Sequence, residues 1–141
     1  MTNIQIQSLT DSKGKVLENL ISDNGTGNVK EIVEFIRSDG YLNTKKQFKQ
    51  VLLHINQLRK FYDSFLKVVN NNAEEKEKKI QLLMIKANAE YAAKRLRTNR
   101  FKDFLSNRID LVVKQNDTNF QNNLRALKLH FEALVAYYPK N

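Results

Sequence analysis

The apolar residues near the end of the chain recur at intervals of four and three positions, and this pattern limits the fold more than any other feature. The six residues, which end just before Pro139, are Phe120, Leu124, Leu127, Phe131, Leu134 and Tyr138. An α-helix turns once every 3.6 residues, so these steps place all six on one face. Such a heptad-like seam predicts a helix that packs along a neighbouring helix or another protomer.

Few residues interrupt helices elsewhere in the chain. Only four Gly and one Pro occur among the 141 residues, and the 41% hydrophobic and 28% charged content is that of a globular protein. We therefore predict an all-α fold, an antiparallel bundle of about four long helices with one or two short N-terminal helices. A chain of this length can bury a core without disulfides or metals. Residues 1–141 are expected to form a single helical domain, with residues 1–28 partly flexible and the bundle core at about residues 44–138.

Apolar periodicity also predicts where the other helices lie. Short helices are expected near residues 16–21 and 29–36, and a long helix from about residue 44 to residue 69, because Thr44 and Gln47 have the spacing of a capping box. Thr118 and Gln121 have the same spacing before the last helix. A helix at about residues 100–114 either continues the preceding helix or folds back on it. Its inward residues are predicted to be Phe101, Phe104, Leu105, Ile109 and Val112.

The stretch of residues 79–102 looks both deeply packed and strongly basic. On a helical wheel Ile80, Met84, Ala87 and Tyr91 share one face, and a second apolar face contains Ile85, Ala92 and Leu96. We expect other helices to pack against both faces. Between residues 86 and 102 the stretch carries six Lys or Arg against one acid, which leaves a cationic ridge on the remaining arc.

Positive charge is concentrated after residue 40. The net charge is +9, but residues 1–40 carry four basic and six acidic side chains, a net −2, so the remainder carries +11. This asymmetry favours nucleic acid or an anionic surface as the partner. We predict two basic ridges that bind such a polyanion, one on the helix of residues 44–69 and one on the next. The candidate binding residues are Lys45, Lys49, Arg59, Lys60, Lys67, Lys86, Lys94, Arg95, Arg97 and Arg100.

No pattern in the sequence points to catalysis, a metal or a cofactor. The chain has no cysteine, and its two histidines, His54 and His130, are far apart in sequence, at the borders of apolar faces and without metal-ligand spacing. The Gly25 and Gly27 pair predicts a plain turn, since no strand precedes it and no Gly-Lys-Ser/Thr follows. We predict a protein that is not an enzyme and binds no cofactor or metal. It has no apolar run of membrane-spanning length and no secretory signal at its N-terminus, so the cytoplasm is the expected location.

Three segments resemble a known family. They are LRKF at residues 58–61, KANAEYAAKR at 86–95 and HFEALVAYYPK at 130–140. The last is the most specific, because the family ends in an aromatic residue followed by Glu-Ala-(Ile/Leu)-Val-Ala-Tyr. On these segments, residues 44–140 resemble the small subunit of the type III-A CRISPR-Cas effector, the Csm complex. The first 40 residues match nothing in it.

The resemblance implies a small, non-catalytic helical protein that is present in several copies within a ribonucleoprotein. There it would contact guide RNA paired with target RNA, beside the backbone subunits and the large subunit. The family carries a mid-chain Lys and Tyr followed by Arg, here Lys86, Tyr91 and Arg95. Lys86 and Arg95 are therefore the strongest individual candidates for RNA contact.

Two other functions can be compared with the sequence. A helical scaffold or adaptor would dock a protein partner through the seam of the last helix, and its lysines would only solvate the surface. A helix-turn-helix DNA binder would need a short Gly-containing turn between two helices of under about 12 residues, and the helices predicted here are longer.

Overall fold

The computed structural model describes residues 4–140, and five helices account for most of them. The helices are α1 (Val29–Arg37), α2 (Ile55–Asn70), α3 (Glu75–Leu96), α4 (Asn99–Val113) and α5 (Asp117–Tyr137). Two short strands, β1 (Gly40–Leu42) and β2 (Phe48–Gln50), form an antiparallel hairpin between α1 and α2. The predicted all-α bundle with four long helices is confirmed, and the hairpin is its one small sheet among the described residues.

The seam predicted at the end of the chain forms the centre of the core. All six of its residues are buried, five on α5 and Tyr138 directly after it. Helix α5 packs against α1, α2 and α4. Phe131 lies within an aromatic cluster, with ring centroids 5.8 Å from Phe65 and 6.3 Å from both Phe101 and Phe104. The five inward residues predicted for α4 are buried as well. The seam therefore finds its partners within its own chain.

A β-hairpin occupies the place where the sequence predicted the start of a long helix. Helix α2 begins only at Ile55, so the helix start near residue 44 and the capping box of Thr44 and Gln47 are wrong. Phe48, in the range predicted for that helix, lies on β2 with 57% of its surface exposed. The side chain of His54 caps α2 instead, with its Nδ1 accepting a hydrogen bond from the Asn56 backbone nitrogen at 3.1 Å.

The turn of the hairpin is held by one asparagine. The Oδ1 of Asn43 accepts hydrogen bonds from the backbone nitrogens of Lys45 and Gln47, both at 2.9 Å. Lys46 adopts a left-handed conformation with φ of 61°, and its nitrogen donates to the Asn43 carbonyl at 2.9 Å. A type I turn followed by a left-handed residue is a common three-residue hairpin loop. This local geometry, rather than a helix cap, satisfies the backbone here.

The N-terminal segment packs against the bundle. Ile4, Leu9 and Leu20 are buried in the main hydrophobic core, outside the range of 44–138 predicted for the bundle core. The helix predicted near residues 16–21 is reduced to a 3₁₀ turn at Glu18–Leu20. Residues 1–3 and 141 lie outside the described residues. The prediction that residues 1–28 are partly flexible therefore falls outside them at its first three positions.

Helix α4 folds back on α3 and does not continue it. Arg97 ends α3 in a left-handed conformation with φ of 60°, and Thr98 precedes the first residue of α4. No glycine lies in this connection. Helix α5 begins after Asn116, and Thr118 lies inside it, so the second predicted capping box is also wrong.

Helix α3 lies at the edge of the bundle, where it packs against α2 and α4. The residues it buries are Lys78, Leu82, Ile85, Ala89 and Ala93. The predicted apolar face of Ile80, Met84, Ala87 and Tyr91 is exposed. The expectation that helices pack on both apolar faces of α3 is therefore wrong for this face within residues 4–140.

Candidate nucleic-acid interface

A surface groove between α2 and α3 brings the two predicted basic ridges together. The four-residue connection between these helices makes them antiparallel neighbours, so the first half of α2 lies beside the last half of α3. The groove measures about 260 Å³, with Lys60 on the α2 wall and Arg95 on the α3 wall. Gln57, Asn88 and Tyr91 add polar and aromatic groups to its lining. This arrangement can hold an anion between two cations.

The cations of the groove have no acidic partner among the residues that the structure describes. Within residues 4–140, neither Lys60 nor Arg95 forms an ion pair, and both are exposed. Arg95 and Lys94 lie in the last turn of α3, where the partial negative charge of the helix end stabilises cations. Their positive charge is therefore available to a ligand and is not neutralised within the chain.

The β-hairpin extends the basic surface beyond the end of α3. The guanidinium of Arg97 lies 4.5 Å from the ring centroid of Tyr41 on β1. Tyr41 is paired directly with Lys49 on β2, and residues paired in this way project from the same face of a sheet. Lys45 lies exposed in the turn. Lys45, Lys49 and Arg97 therefore belong to one end of the molecule, although the first two lie on no helix.

Two of the predicted residues have partners inside the chain. The Nζ of Lys86 lies 2.7 Å from Oδ1 of Asp110 on α4, and each side chain is 35% exposed. Arg100 lies on α4 rather than on the ridge of α3, and its Nη1 donates to the Phe35 carbonyl at 2.8 Å and to Ser38 Oγ at 2.7 Å. These contacts tie α4 to α3 and to α1, which is a structural use of both cations.

The remaining predicted residues are exposed but dispersed. Arg59 lies on α2 next to Lys60, whereas Lys67 lies in the last turn of α2, about 10 Å further along the helix. Lys94 projects from the exposed side of α3. The structure thus gathers Lys60 and Arg95 at one groove and places Lys45, Lys49 and Arg97 nearby, while Lys67, Lys86 and Arg100 lie elsewhere or are paired.

One buried cation, Arg108, was not identified from the sequence. Arg108 on α4 is fully buried, and its Nε donates to Nε2 of His130 on α5 at 3.2 Å. Its Nη1 donates to the Ile4 carbonyl, and the Phe104 ring lies 4.4 Å away. Its Nη2 has no hydrogen-bond partner among the described residues. Burial lowers the pKa of Arg108 to about 9, so it remains charged at neutral pH. This cation fastens the N-terminal segment and is closed to ligands.

His130 is buried, not at the edge of the core as predicted. Its Nδ1 lies 2.7 Å from the Leu20 carbonyl, which assigns the ring proton to Nδ1 and leaves Nε2 to accept from Arg108. Burial, and then the nearby charge of Arg108, lowers its pKa to about 3. A neutral, fully engaged imidazole inside the core offers no general base to a substrate. His54, the other histidine, caps α2 on the surface.

Other chemistry finds little support in the described part of the chain. No cluster of three His, Asp or Glu side chains there could hold a metal ion. None of the described helices combines the length and the apolarity that crossing a membrane requires. A wider hollow of about 610 Å³ beside α1 is lined by three acids, Asp23, Glu31 and Glu34, and by two cations, Lys30 and Arg100. Acids outnumber cations there, so this hollow suits a phosphate less well than the groove does.

Comparison with known proteins gives one match. A model of the family described as Csm2 Type III-A matches residues 26–140. The match therefore begins earlier than residue 44, and it includes the groove, the hairpin and all five helices. No curated protein and no solved structure matches the chain.

Proposed function

This chain belongs to the Csm2 family of small subunits of the type III-A CRISPR Csm complex, and from this premise we propose that it binds RNA without catalysing a reaction. In this proposal it contacts the sugar-phosphate backbone of guide RNA paired with target RNA. Its protein partners are the backbone subunits and the large subunit of the complex, and several copies of the chain take part. The site of action is the cytoplasm.

The observation that supports RNA binding best is the groove between α2 and α3. Lys60 and Arg95 reach it from two helices, both are exposed, and neither forms an ion pair within residues 4–140. A cation that lacks an acidic neighbour loses little when it exchanges water for a phosphate oxygen. Lys86 and Arg100 would first have to leave Asp110 and the carbonyl of Phe35. We therefore assign the primary contact to Lys60 and Arg95, and a supporting contact to Lys45, Lys49 and Arg97.

The chemistry of the groove favours the backbone of RNA over its bases. Guanidinium and ammonium groups bind phosphate oxygens in any sequence, whereas sequence readout needs donors and acceptors matched to base edges. Base pairing between guide and target would then carry the sequence information. If one copy makes three or four phosphate contacts, the logarithm of affinity should fall with the logarithm of salt concentration with a slope of about −2 to −4.

The test reverses the charge of the two groove residues. We expect the double variant Lys60→Glu and Arg95→Glu to bind RNA at least about tenfold more weakly, because it removes two phosphate contacts and adds two repulsive charges. The loss should be the same for two unrelated sequences. Fluorescence anisotropy with single-stranded RNA and with an RNA duplex of equal length, over a series of salt concentrations, measures both the affinity and the slope.

A matched control changes the same number of charges elsewhere. Arg125→Glu with Lys128→Glu alters α5, beside the opposite end of α2, and should weaken binding much less. Equal losses in the two double variants would mean that only the net charge matters, and the groove would then have no special role. Unchanged binding by a folded groove variant would contradict the proposal directly.

The scaffold alternative loses the surface on which it was based. The seam of α5 was its docking site, and all six residues of that seam are buried within the chain. A scaffold function would now need another face. It predicts RNA binding no stronger than that of any protein of net charge +9, together with a protein complex that survives nuclease treatment.

A further inference from the structure

The β-hairpin carries a large aromatic side chain on the face that the protein leaves uncovered. Leu42 on β1 and Phe48 on β2 are directly paired, and residues paired in this way project from the same face of a hairpin. Leu42 is 65% exposed and Phe48 57%. The next pair, Tyr41 and Lys49, projects from the opposite face, where Tyr41 contacts Arg97 at the end of α3. The Tyr41 face therefore contacts the rest of the protein, and the Phe48 face is open to a ligand.

The ring of Phe48 lies against the backbone of the neighbouring strand. A Cβ built at Gly40 on β1 would lie 2.5 Å from Cζ of Phe48, so the ring fills the space that a side chain at residue 40 would need. A glycine within a strand commonly marks such a close approach. The opposite strand thus supports the ring, while more than half of the surface of Phe48 stays open to solvent. A supported ring with an accessible face is what stacking against another flat group requires.

Hydrogen bonds fix the base of the hairpin to the helices. The backbone nitrogen of Val51 donates to the Asp39 carbonyl at 3.0 Å, and Nε2 of Gln50 donates to the Arg37 carbonyl at 2.8 Å. Asp39 is held in turn, because its Oδ2 accepts from the backbone nitrogen of Arg100 at 2.9 Å. These contacts tie the hairpin to α1 and α4. A ligand that binds the hairpin therefore has little of it left to order.

The charge around this ring is positive only. Residues 40–62 contain no Asp or Glu. Three lysines of the hairpin, Lys45, Lys46 and Lys49, are exposed and form no ion pair within residues 4–140. An exposed aromatic ring among unpaired cations suits a ligand that combines a flat ring with negative charge. A nucleotide has both, because its base can stack and its phosphate can bind lysine.

We propose that Phe48 stacks on an unpaired base of the bound RNA, while the lysines of the hairpin bind the phosphates beside that base. The inference rests on the proposed function, since it takes RNA as the ligand, and it adds a contact with a base that the groove does not make. Arg95 of the groove and Arg97 next to the hairpin lie two residues apart at the end of α3, so the two sites adjoin. Stacking requires no particular base, because every base has a π face.

An unpaired nucleotide fits this contact better than a base pair does. Each base of a duplex is already stacked on its neighbours, and a ring that enters must first unstack them at a cost in free energy. An unpaired base has a face to offer. We therefore expect Phe48 to distinguish single-stranded RNA from a fully paired duplex. Lys60 and Arg95 contact only the backbone and should bind both forms.

The first test uses tryptophan as a reporter of stacking. The chain has no tryptophan, so Phe48→Trp places a single indole at the proposed contact. A base that stacks on this indole should quench its fluorescence. We expect quenching to follow binding, measured by anisotropy, as a single-stranded RNA of about ten nucleotides is added. The matched control is Leu83→Trp, an exposed apolar position on α3 that does not line the groove, and its fluorescence should stay unquenched.

The second test separates stacking from a merely apolar contact. Phe48→Ala should weaken the binding of single-stranded RNA about tenfold, and that of a blunt-ended RNA duplex less than about twofold. Phe48→Leu keeps the apolar bulk without the ring and should lose nearly as much as alanine. Phe48→Tyr keeps a ring and should stay within about twofold of the original. Full affinity in the leucine variant would mean that the site takes any apolar group, as a protein-binding surface would, and would overturn stacking.

The salt dependence distinguishes the ring from the lysines beside it. Phe48→Ala removes no charge, so the affinity should fall while the slope against the logarithm of salt concentration stays the same. Lys46→Ala should make the slope shallower by about 0.7, which is the share of one phosphate contact with a single strand. A shallower slope in Phe48→Ala as well would mean that the ring only holds the lysines in place, and this result would overturn stacking.

Failure of this inference and failure of the groove give different results. RNA that binds the Phe48→Trp chain without quenching its indole overturns stacking and leaves the groove intact. The same chain with Lys60→Glu and Arg95→Glu added tests the groove. Quenching at undiminished affinity in that chain overturns the groove and leaves the hairpin contact. Quenching that weakens together with affinity when Lys60 and Arg95 are changed supports both proposals.

Discussion

Helices α3 and α5 carry apolar residues at the same alternating intervals, yet they have opposite fates in the structure. The seam of α5 is buried among α1, α2 and α4, whereas the apolar face of Ile80, Met84, Ala87 and Tyr91 on α3 lies on the outer side of the bundle with Tyr91 70% exposed. Periodicity thus reveals that a helix has an apolar face. It does not reveal whether another element of the chain covers that face. Tertiary packing decides this, and among the described residues the face of α3 stays exposed.

The largest expected effect tests the buried seam of α5. Phe131→Ala should lower the free energy of unfolding by about 3 to 5 kcal/mol, because it removes a ring from an aromatic cluster and leaves a cavity. Urea denaturation followed by circular dichroism measures the change. If this variant does not fold, Phe131→Leu should fold with a smaller loss. A loss under about 1 kcal/mol for the alanine variant would contradict a core position for this ring.

A second prediction concerns acid sensitivity on the same helix. The pKa of His130 is about 3 in the folded protein and is expected near its ordinary value of 6.5 after unfolding. Between these values the unfolded chain binds more protons, so stability rises with pH and is lost as pH falls. From pH 7.5 to pH 5 this group should remove about 2 kcal/mol from the free energy of unfolding.

The variant His130→Gln isolates that contribution. Glutamine can still accept from Arg108 and donate to the Leu20 carbonyl, but it does not titrate. The groups that face His130 are the Arg108 guanidinium, the Leu20 carbonyl and the Phe104 ring. Urea titrations at about pH 7.5, 6 and 5 should show a flatter dependence for the variant. Parallel curves for the two proteins would mean that His130 does not govern the acid response.

The smallest expected effect tests the exposed apolar face of α3. Met84→Ala should change the stability of the single copy by less than about 0.5 kcal/mol, because its side chain is 57% exposed and alanine favours helix. Urea denaturation followed by circular dichroism measures the change. A loss comparable with that of Phe131→Ala would show that α3 has a partner within its own chain after all.

The helical architecture was accessible from the sequence because the dominant signals are local. Val29, Ile32, Val33 and Ile36 predicted α1, and every residue predicted to face inward along α4 and α5 is buried. The family was recognisable from short segments such as residues 130–140. Each of these predictions depends on spacing within one helix, which the sequence records directly.

The hairpin escaped prediction because its determinants resemble those of a helix. Thr44 and Gln47 have capping-box spacing, and Phe48 and Val51 continue a helical pattern. The residue in left-handed conformation is Lys46, where a glycine or asparagine would have announced a turn. Gly40 marks the hairpin in the structure, since a Cβ there would lie 2.3 Å from the carbonyl oxygen of Lys49. This close approach exists only once the two strands pair, so the sequence alone does not reveal why a glycine is needed.

The candidate site was predictable in composition but not in arrangement. Exposed lysines and arginines can be counted from the sequence, whereas the ion pair of Lys86 with Asp110 depends on how α4 folds back. Arg108 could have been noticed, because it lies seven residues after Phe101 and four after Phe104, on the apolar face of α4. Its role in holding Ile4 across more than 100 residues of sequence is set by the tertiary fold alone.

The contact between Arg108 and the N-terminal segment shows that the start of the family match is not the start of the folded domain. The stretch that the family shares starts at residue 26, yet Ile4, Leu9 and Leu20 complete the core and cover His130 and Arg108. A domain boundary placed at residue 26 would therefore cut through the hydrophobic core. Residues 4–25, which lie outside the matched range, thus pack against helices that lie inside it.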